Sequence, residues 1–151
     1  MPAKAQSNLT ECNCLAVRQA ARYVTQFYDR HLAGAGLRTS QYGILARLKR
    51  NGAMTINALA VELVMDRTTL GRNILPLERD GLITITPLRS DRRMKELRLT
   101  TAGEVRLDAA RPAWIEAQRR FEAGFGAKHA AEMRGLLRAL IDSGLVSGED
   151  G

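Results

Sequence analysis

Cysteine is scarce in this 151-residue chain: Cys12 and Cys14 are its only two, two positions apart. On a helix such a pair points in different directions and does not close a disulfide on itself. With His31 and His129 the only histidines, there is no framework for a metal site either. No glycine-rich phosphate loop, H-E-x-x-H pair or nucleophile elbow is present, and neither histidine has an acid or serine at a suggestive spacing, so neither an enzyme nor a cofactor is expected. No apolar run reaches the roughly 18 residues of a membrane helix, and the N-terminal MPAKAQSNLTEC lacks the apolar stretch of a signal peptide; the expectation is a cytoplasmic protein with no membrane partner. With 45% apolar and 26% charged residues the chain is expected to fold, and its length suits a single domain.

What the chain has is a concentrated positive charge. Residues 1–37 carry four basic and two acidic side chains, residues 38–99 twelve and six, and residues 100–151 seven and eight, so +6 of the net +7 lies in the middle. A basic excess gathered in one segment points to a polyanion and makes nucleic acid a candidate partner, narrowed to double-stranded DNA by the motif that follows. Helical periodicity predicts a long amphipathic helix from Leu9 to Leu32 and a second, capped by Thr39 or Ser40, running through Leu48. A short strand is expected at Met54–Ile56, a third helix over 57–64, and a fourth from its N-cap Asp66 to Asp80 with Gly81 at its end. The period then changes to that of a β-hairpin, 82–86 and 96–99, around a basic tip. Thr100 or Thr101 starts a helix to about Ala123, Thr101 and Glu104 standing at capping-box spacing, with an irregularity at Pro112; a last helix is expected over 128–143.

Helix, turn, helix and hairpin in that order predict a mostly α fold with a small β-hairpin wing (α+β), a winged helix–turn–helix whose core spans 38–103 between terminal helices at 9–37 and 104–145. On a helical wheel Leu70, Ile74 and Leu77 cluster within about 60°, while Thr68, Arg72 and Arg79 lie opposite. That opposite face is the expected DNA reader. Arg72 suits a guanine edge, Thr68, Thr69 and Asn73 can reach bases or phosphates, Gly71 and Pro76 lie beside them, and Arg67 suits a phosphate. Pro76 and the apolar Leu75 near the polar face suggest that the helix bends or ends early. In the wing, Arg89, Arg92, Arg93 and Lys95 face the single acid Asp91, expected to hold a neighbouring guanidinium for a minor groove or backbone. The terminal helices carry apolar faces that a core of about 60 residues does not cover. This predicts a homodimer with a seam drawn from Leu15, Val24, Phe121, Phe125, Leu136, Leu137, Leu140 and Ile141.

The linked run of Thr69, Arg72, LERDGLI (77–83), DRR (91–93) and LTTAG (99–103) resembles the MarR family of bacterial transcription regulators, from Leu9 to about Leu145. The resemblance implies a dimer whose first and last helices interlock and place two winged helices on a pseudo-palindromic operator. It further implies a repressor released by a small anionic aromatic, often phenolic, effector or by cysteine oxidation. In the family the effector lies between the terminal helices and the winged core, where Arg22, Tyr28, His31, Tyr42, Arg111 and Trp114 are the residues suited to an aromatic acid. Cys14 resembles in position the sensing cysteine of the organic-hydroperoxide branch, and Tyr28 a tyrosine partnering it there, though Thr39 and Arg18 stand where further tyrosines are expected. A redox-sensing repressor is thus the alternative signal, and a nonspecific architectural DNA-binding protein the alternative function, against which Arg72 on the reading face argues.

Overall fold

A computed structural model describes residues 11–146. Helix α1 spans Asn13–Leu32, with Cys12 as its N-cap, the thiol accepting from the Leu15 N–H at 3.5 Å. The expected start at Leu9 lies outside the described residues, but Glu11 and Cys12 are already non-helical, so the helix begins later than its apolar periodicity suggests. A single 3-10 turn at Ala33–Ala35 leads through left-handed Gly36 to α2, Thr39–Asn51. The cap of α2 is neither Thr39 nor Ser40. Arg38 occupies the cap position and its N–H donates to the Gln41 side chain, while Asp29 of α1 accepts both the Thr39 N–H and the Thr39 hydroxyl at 2.7 Å. A carboxylate from another helix thus satisfies a donor that a local side chain was expected to take.

Strand β1 is Met54–Thr55, α3 is Ile56–Leu63 with Thr55 as its side-chain cap, and α4 is Arg67–Arg79. Both helices of the pair end in the same motif. After α4 the Leu82 N–H reaches the Leu77 carbonyl (2.9 Å) and the Gly81 N–H that of Glu78 (3.0 Å), with Gly81 at φ +73°. After α3 the corresponding bonds run from Met65 to Ala60 and from Val64 to Val61, and here the left-handed residue is Val64, φ +52°, the sole non-glycine at positive φ among the described residues. A β-branched side chain there costs roughly 1–2 kcal/mol, and tight reversal into α4 holds it in place.

Pro76 does not end α4. The ring removes one N–H bond, but the helix continues another turn because Leu77 is buried and the terminal motif after it is complete. Strands β2 (Ile83–Pro87) and β3 (Lys95–Leu99) form the hairpin, Ile83 facing Leu99 and Pro87 facing Lys95, and β1 adds to the other side of β3, giving the antiparallel order β1-β3-β2. Helix α5 runs from Thr101 to Phe125 without a break at Pro112, and α6 from Ala127 to Ile141. Thr100 caps α5, its hydroxyl accepting the Gly103 N–H (3.0 Å) and donating to the Gly81 carbonyl (2.6 Å). The Thr101–Glu104 capping box does not form, because Glu104 pairs with Lys49 on α2 instead.

Two compact units divide after Trp114, within α5. In the first, Leu32, Leu37, Ile44, Leu45, Leu48, Leu59, Leu70, Ile74, Leu77, Leu82, Ile83, Leu97 and Leu107 form one buried core. Leu32 and Leu107 come from α1 and α5, so the ends of the long helices are part of the winged core rather than separate from it. In the second, α6 follows the end of α5, with Phe125 tilted against both Phe121 (5.7 Å) and His129 (5.6 Å).

Candidate nucleic-acid interface

Helix α4 divides as its wheel predicts: Leu70, Ile74 and Leu77 are buried, while Thr68, Arg72 and Arg79 are exposed. Its N-terminus is held by Asp66, which accepts the Thr69 N–H (3.0 Å) and the Thr69 hydroxyl (2.5 Å); these bonds keep the Asp66 carboxyl below the usual carboxylate range. The single hydroxyl proton of Thr69 goes to Asp66, so toward a ligand Thr69 presents acceptor lone pairs, suited to a base amino group rather than a phosphate. Asn73 is half-buried and its amide donates to the Thr69 carbonyl (3.0 Å) and the Met65 sulfur (3.7 Å). That leaves it without the free N–H needed for a two-point contact with adenine. Arg67 and Arg72 carry no ion pair among the described residues, so both guanidiniums are available. Leu75 is exposed at the edge of this face and Pro76 is half-buried.

The wing tip is a folded turn. Leu88 N–H bonds Met94 O (2.8 Å), Met94 N–H bonds Asp91 O (3.0 Å), and the Asp91 carboxylate accepts the Arg93 N–H (3.1 Å). Asp91 also approaches the Arg93 guanidinium at 3.4 Å, while Arg89 and Arg92 are exposed and carry no ion pair among the described residues. Lys95, on β3 rather than at the tip, lies near Arg67 of α4 beside a common cleft. The sequence puts Lys95 among the wing cations but gives no sign of this neighbour, since the pairing of β1 with β3 and the packing of α4 on β2 bring the two segments together.

The residues expected for an effector fall into two ring groups. Tyr42 stacks on Trp114 (5.9 Å, 13° between planes), with the Arg111 guanidinium acting on the phenol; burial nevertheless raises the Tyr42 pKa. On α1 the Phe27 ring lies 5.7 Å from Tyr28 and 4.8 Å from His31, whose Nδ1 is 2.9 Å from the Phe27 carbonyl. Arg22 and Arg111 are exposed. Cys14 is exposed in the first turn of α1. Tyr28 lies fourteen residues further along the same helix, roughly 21 Å away at helical rise, so the two do not meet within one chain. Of the seam residues, Leu15, Phe125, Leu136, Leu137, Leu140 and Ile141 are exposed, and Val24 and Phe121 half-buried. Among the described residues there is no cluster of potential metal ligands, and no helix is long and apolar enough to cross a membrane.

Residues 35–94 match the MarR family profile. The chain is similar to the M. tuberculosis transcriptional regulator MosR, solved in complex with DNA, at 33% identity covering 89% of this chain and 99% of that one (TM-score 0.75). It is 29% identical over 125 residues, 83% of this chain and 71% of the relative, to a Thauera aromatica protein named as a candidate transcriptional regulatory protein for the hcr operon. Bordetella bronchiseptica BpsR shares the fold at 20% identity over 88% of this chain and 95% of that one (TM-score 0.77). At a third identity over nearly the full length of a DNA-bound regulator, the likeness carried by LERDGLI, DRR and LTTAG becomes membership: this chain belongs to the MarR family of DNA-binding transcriptional regulators.

Proposed function

We propose that this regulator is a homodimeric, cytoplasmic repressor that grips an inverted-repeat operator with α4 and the wing and leaves it when a small aromatic acid binds. The observation that carries the DNA reading is the exposed Arg72, without an ion pair among the described residues, opposite the buried Leu70–Ile74–Leu77 face. A guanidinium so placed reads a guanine edge through two parallel bonds, a contact specific to sequence rather than to charge. In fluorescence-anisotropy titrations against the DNA upstream of its own gene and a scrambled duplex, Arg72→Ala is expected to lose about 1–3 kcal/mol on the first and almost nothing on the second. Equal losses would reassign Arg72 to a phosphate, and equal wild-type affinity for both duplexes would favour a nonspecific architectural role.

For the signal, the stacked Tyr42–Trp114 pair with Arg111 nearby supports an aromatic carboxylate, held by stacking and an ion pair. BpsR, whose DNA binding is regulated by 6-hydroxynicotinic acid, offers a ligand of that chemistry to try first. The exposure of Cys14 keeps a second reading, a redox signal, in the same experiment: release by an organic hydroperoxide that disappears in Cys14→Ser would replace the aromatic acid with an oxidant.

A further inference from the structure

The helix–turn–helix and the wing meet at one cleft. Because β1 pairs with β3 in the register Thr55↔Glu96, the start of α3 lies beside Lys95, and Arg67 at the start of α4 borders the same space. The cleft has a volume of about 270 Å³ and is lined by Thr55, Asn57, Arg67, Arg93 and Lys95 with two apolar neighbours; no acidic side chain is in its wall. Arg67 and Lys95 have no carboxylate partner among the described residues, and Arg93 has only Asp91, at 3.4 Å on an exposed turn. The Thr55 oxygen accepts the Ala58 N–H, which leaves its own proton to donate. Three cations from α4, the wing tip and the base of the wing thus surround a space too small for a base pair, with nothing in its wall to offset their repulsion. A tetrahedral phosphate group offsets it and offers acceptors to every one of these donors.

We propose that this cleft seats a single backbone phosphate of the operator, gripped jointly by Arg67, Arg93 and Lys95. The inference rests on the DNA-binding reading above and adds a specific device to it: helix and wing are registered on one phosphodiester, so their spacing along the duplex is set by that contact.

The test uses the full-length protein and a duplex enriched by it from a random-sequence pool. Each linkage of that duplex is replaced in turn by a neutral methylphosphonate, and binding is followed by anisotropy at constant salt. The proteins compared are the wild type, Arg67→Gln, Lys95→Gln and, as a wing cation outside the cleft, Arg92→Gln. One linkage per half-site is expected to cost the wild type about tenfold or more. Arg67→Gln and Lys95→Gln should each bind the unmodified duplex more weakly and show a smaller loss than the wild type at that same linkage, while Arg92→Gln keeps the full sensitivity. Arg67→Gln and Lys95→Gln acting at different linkages, or at none, would overturn the shared seat. Replacing chloride by inorganic phosphate at equal ionic strength addresses the other source of the group. Competition that vanishes in Lys95→Gln, with no sensitive linkage, would assign the cleft to free phosphate and overturn the backbone assignment. A wild type that enriches no preferred duplex would overturn the DNA reading itself and this inference with it.

Discussion

At Gly103 a Cβ would overlap the Leu82 carbonyl oxygen and crowd the Leu99 side chain, so the first turn of α5 approaches the start of the hairpin as closely as a backbone allows. Thr100 completes the joint, its N–H bonding the Leu82 carbonyl (3.1 Å) and its hydroxyl the Gly81 carbonyl. The LTTAG run is therefore a weld between wing and helix. Gly103→Ala is expected to destabilise the protein by about 2 kcal/mol or more, since the clash is with backbone rather than with a flexible side chain. Gly71, on α4, is the contrast, because a methyl group there would meet nothing within 4 Å: Gly71→Ala should raise stability by about 0.5–1 kcal/mol through helix propensity. Thermal or urea unfolding of the two variants checks both signs, and a gain in stability at Gly103→Ala would refute the weld.

At the scale of elements, local charge adds to the packing of α5 around the buried Ala117. Glu116 binds Arg119 through two hydrogen bonds (2.7 and 2.9 Å) and Arg120 through one (2.7 Å), and these guanidiniums bring its carboxyl down to about 2. A carboxyl whose pKa is depressed in the folded state stabilises the helix at pH above its ordinary value of 4.5, and the stabilisation is lost as pH falls from there toward about 2. Helicity followed by circular dichroism at low salt should fall through that window, and Glu116→Gln should flatten the fall; added salt should weaken the effect, because the pairs are exposed. Helix α4 makes the opposite case. Its continuation past Pro76 is secured by burial of Leu77 and the paired carbonyls at its end, so one missing N–H bond does not terminate it.

For the whole molecule, the apolar surface of α6 is the main unexplained cost of a lone chain. Leu136 is 73% and Ile141 61% exposed, with Leu137 and Leu140 on the same helix also open to solvent. The proposed homodimer would cover surface of this kind, and its two-fold axis would match the proposed inverted-repeat operator. Leu137→Glu combined with Leu140→Glu is expected to convert a dimer to a monomer in light scattering and to lower operator affinity by at least about tenfold, because one half-site contact is lost with its partner. A variant that stays dimeric would move the seam elsewhere, and a wild type that is monomeric would remove it.

The order of elements, the buried face of α4, the cap at Asp66, the terminal glycine at 81 and the concentration of charge are all legible in the amino-acid sequence, because each follows from periodicity, local capping chemistry or counting within a few residues. Arg72 falls on the open face for the same reason. Whatever depends on groups distant in the chain was settled by tertiary contacts: that Asp29 caps α2, that Glu104 turns to Lys49, and that Leu77 carries α4 past its proline. Local bonds within and just before α4 limit Thr69 and Asn73, whose donors are taken by Asp66, Met65 and the Thr69 carbonyl, though the residue types alone suggest free hydrogen-bonding groups. The cleft of Arg67, Arg93 and Lys95 again depends on groups distant in the chain. No local pattern specifies which strand edge a two-residue segment will join, and the pairing of Met54–Thr55 with β3, together with the packing of α4 against β2, brings the base of the wing to the helix–turn–helix.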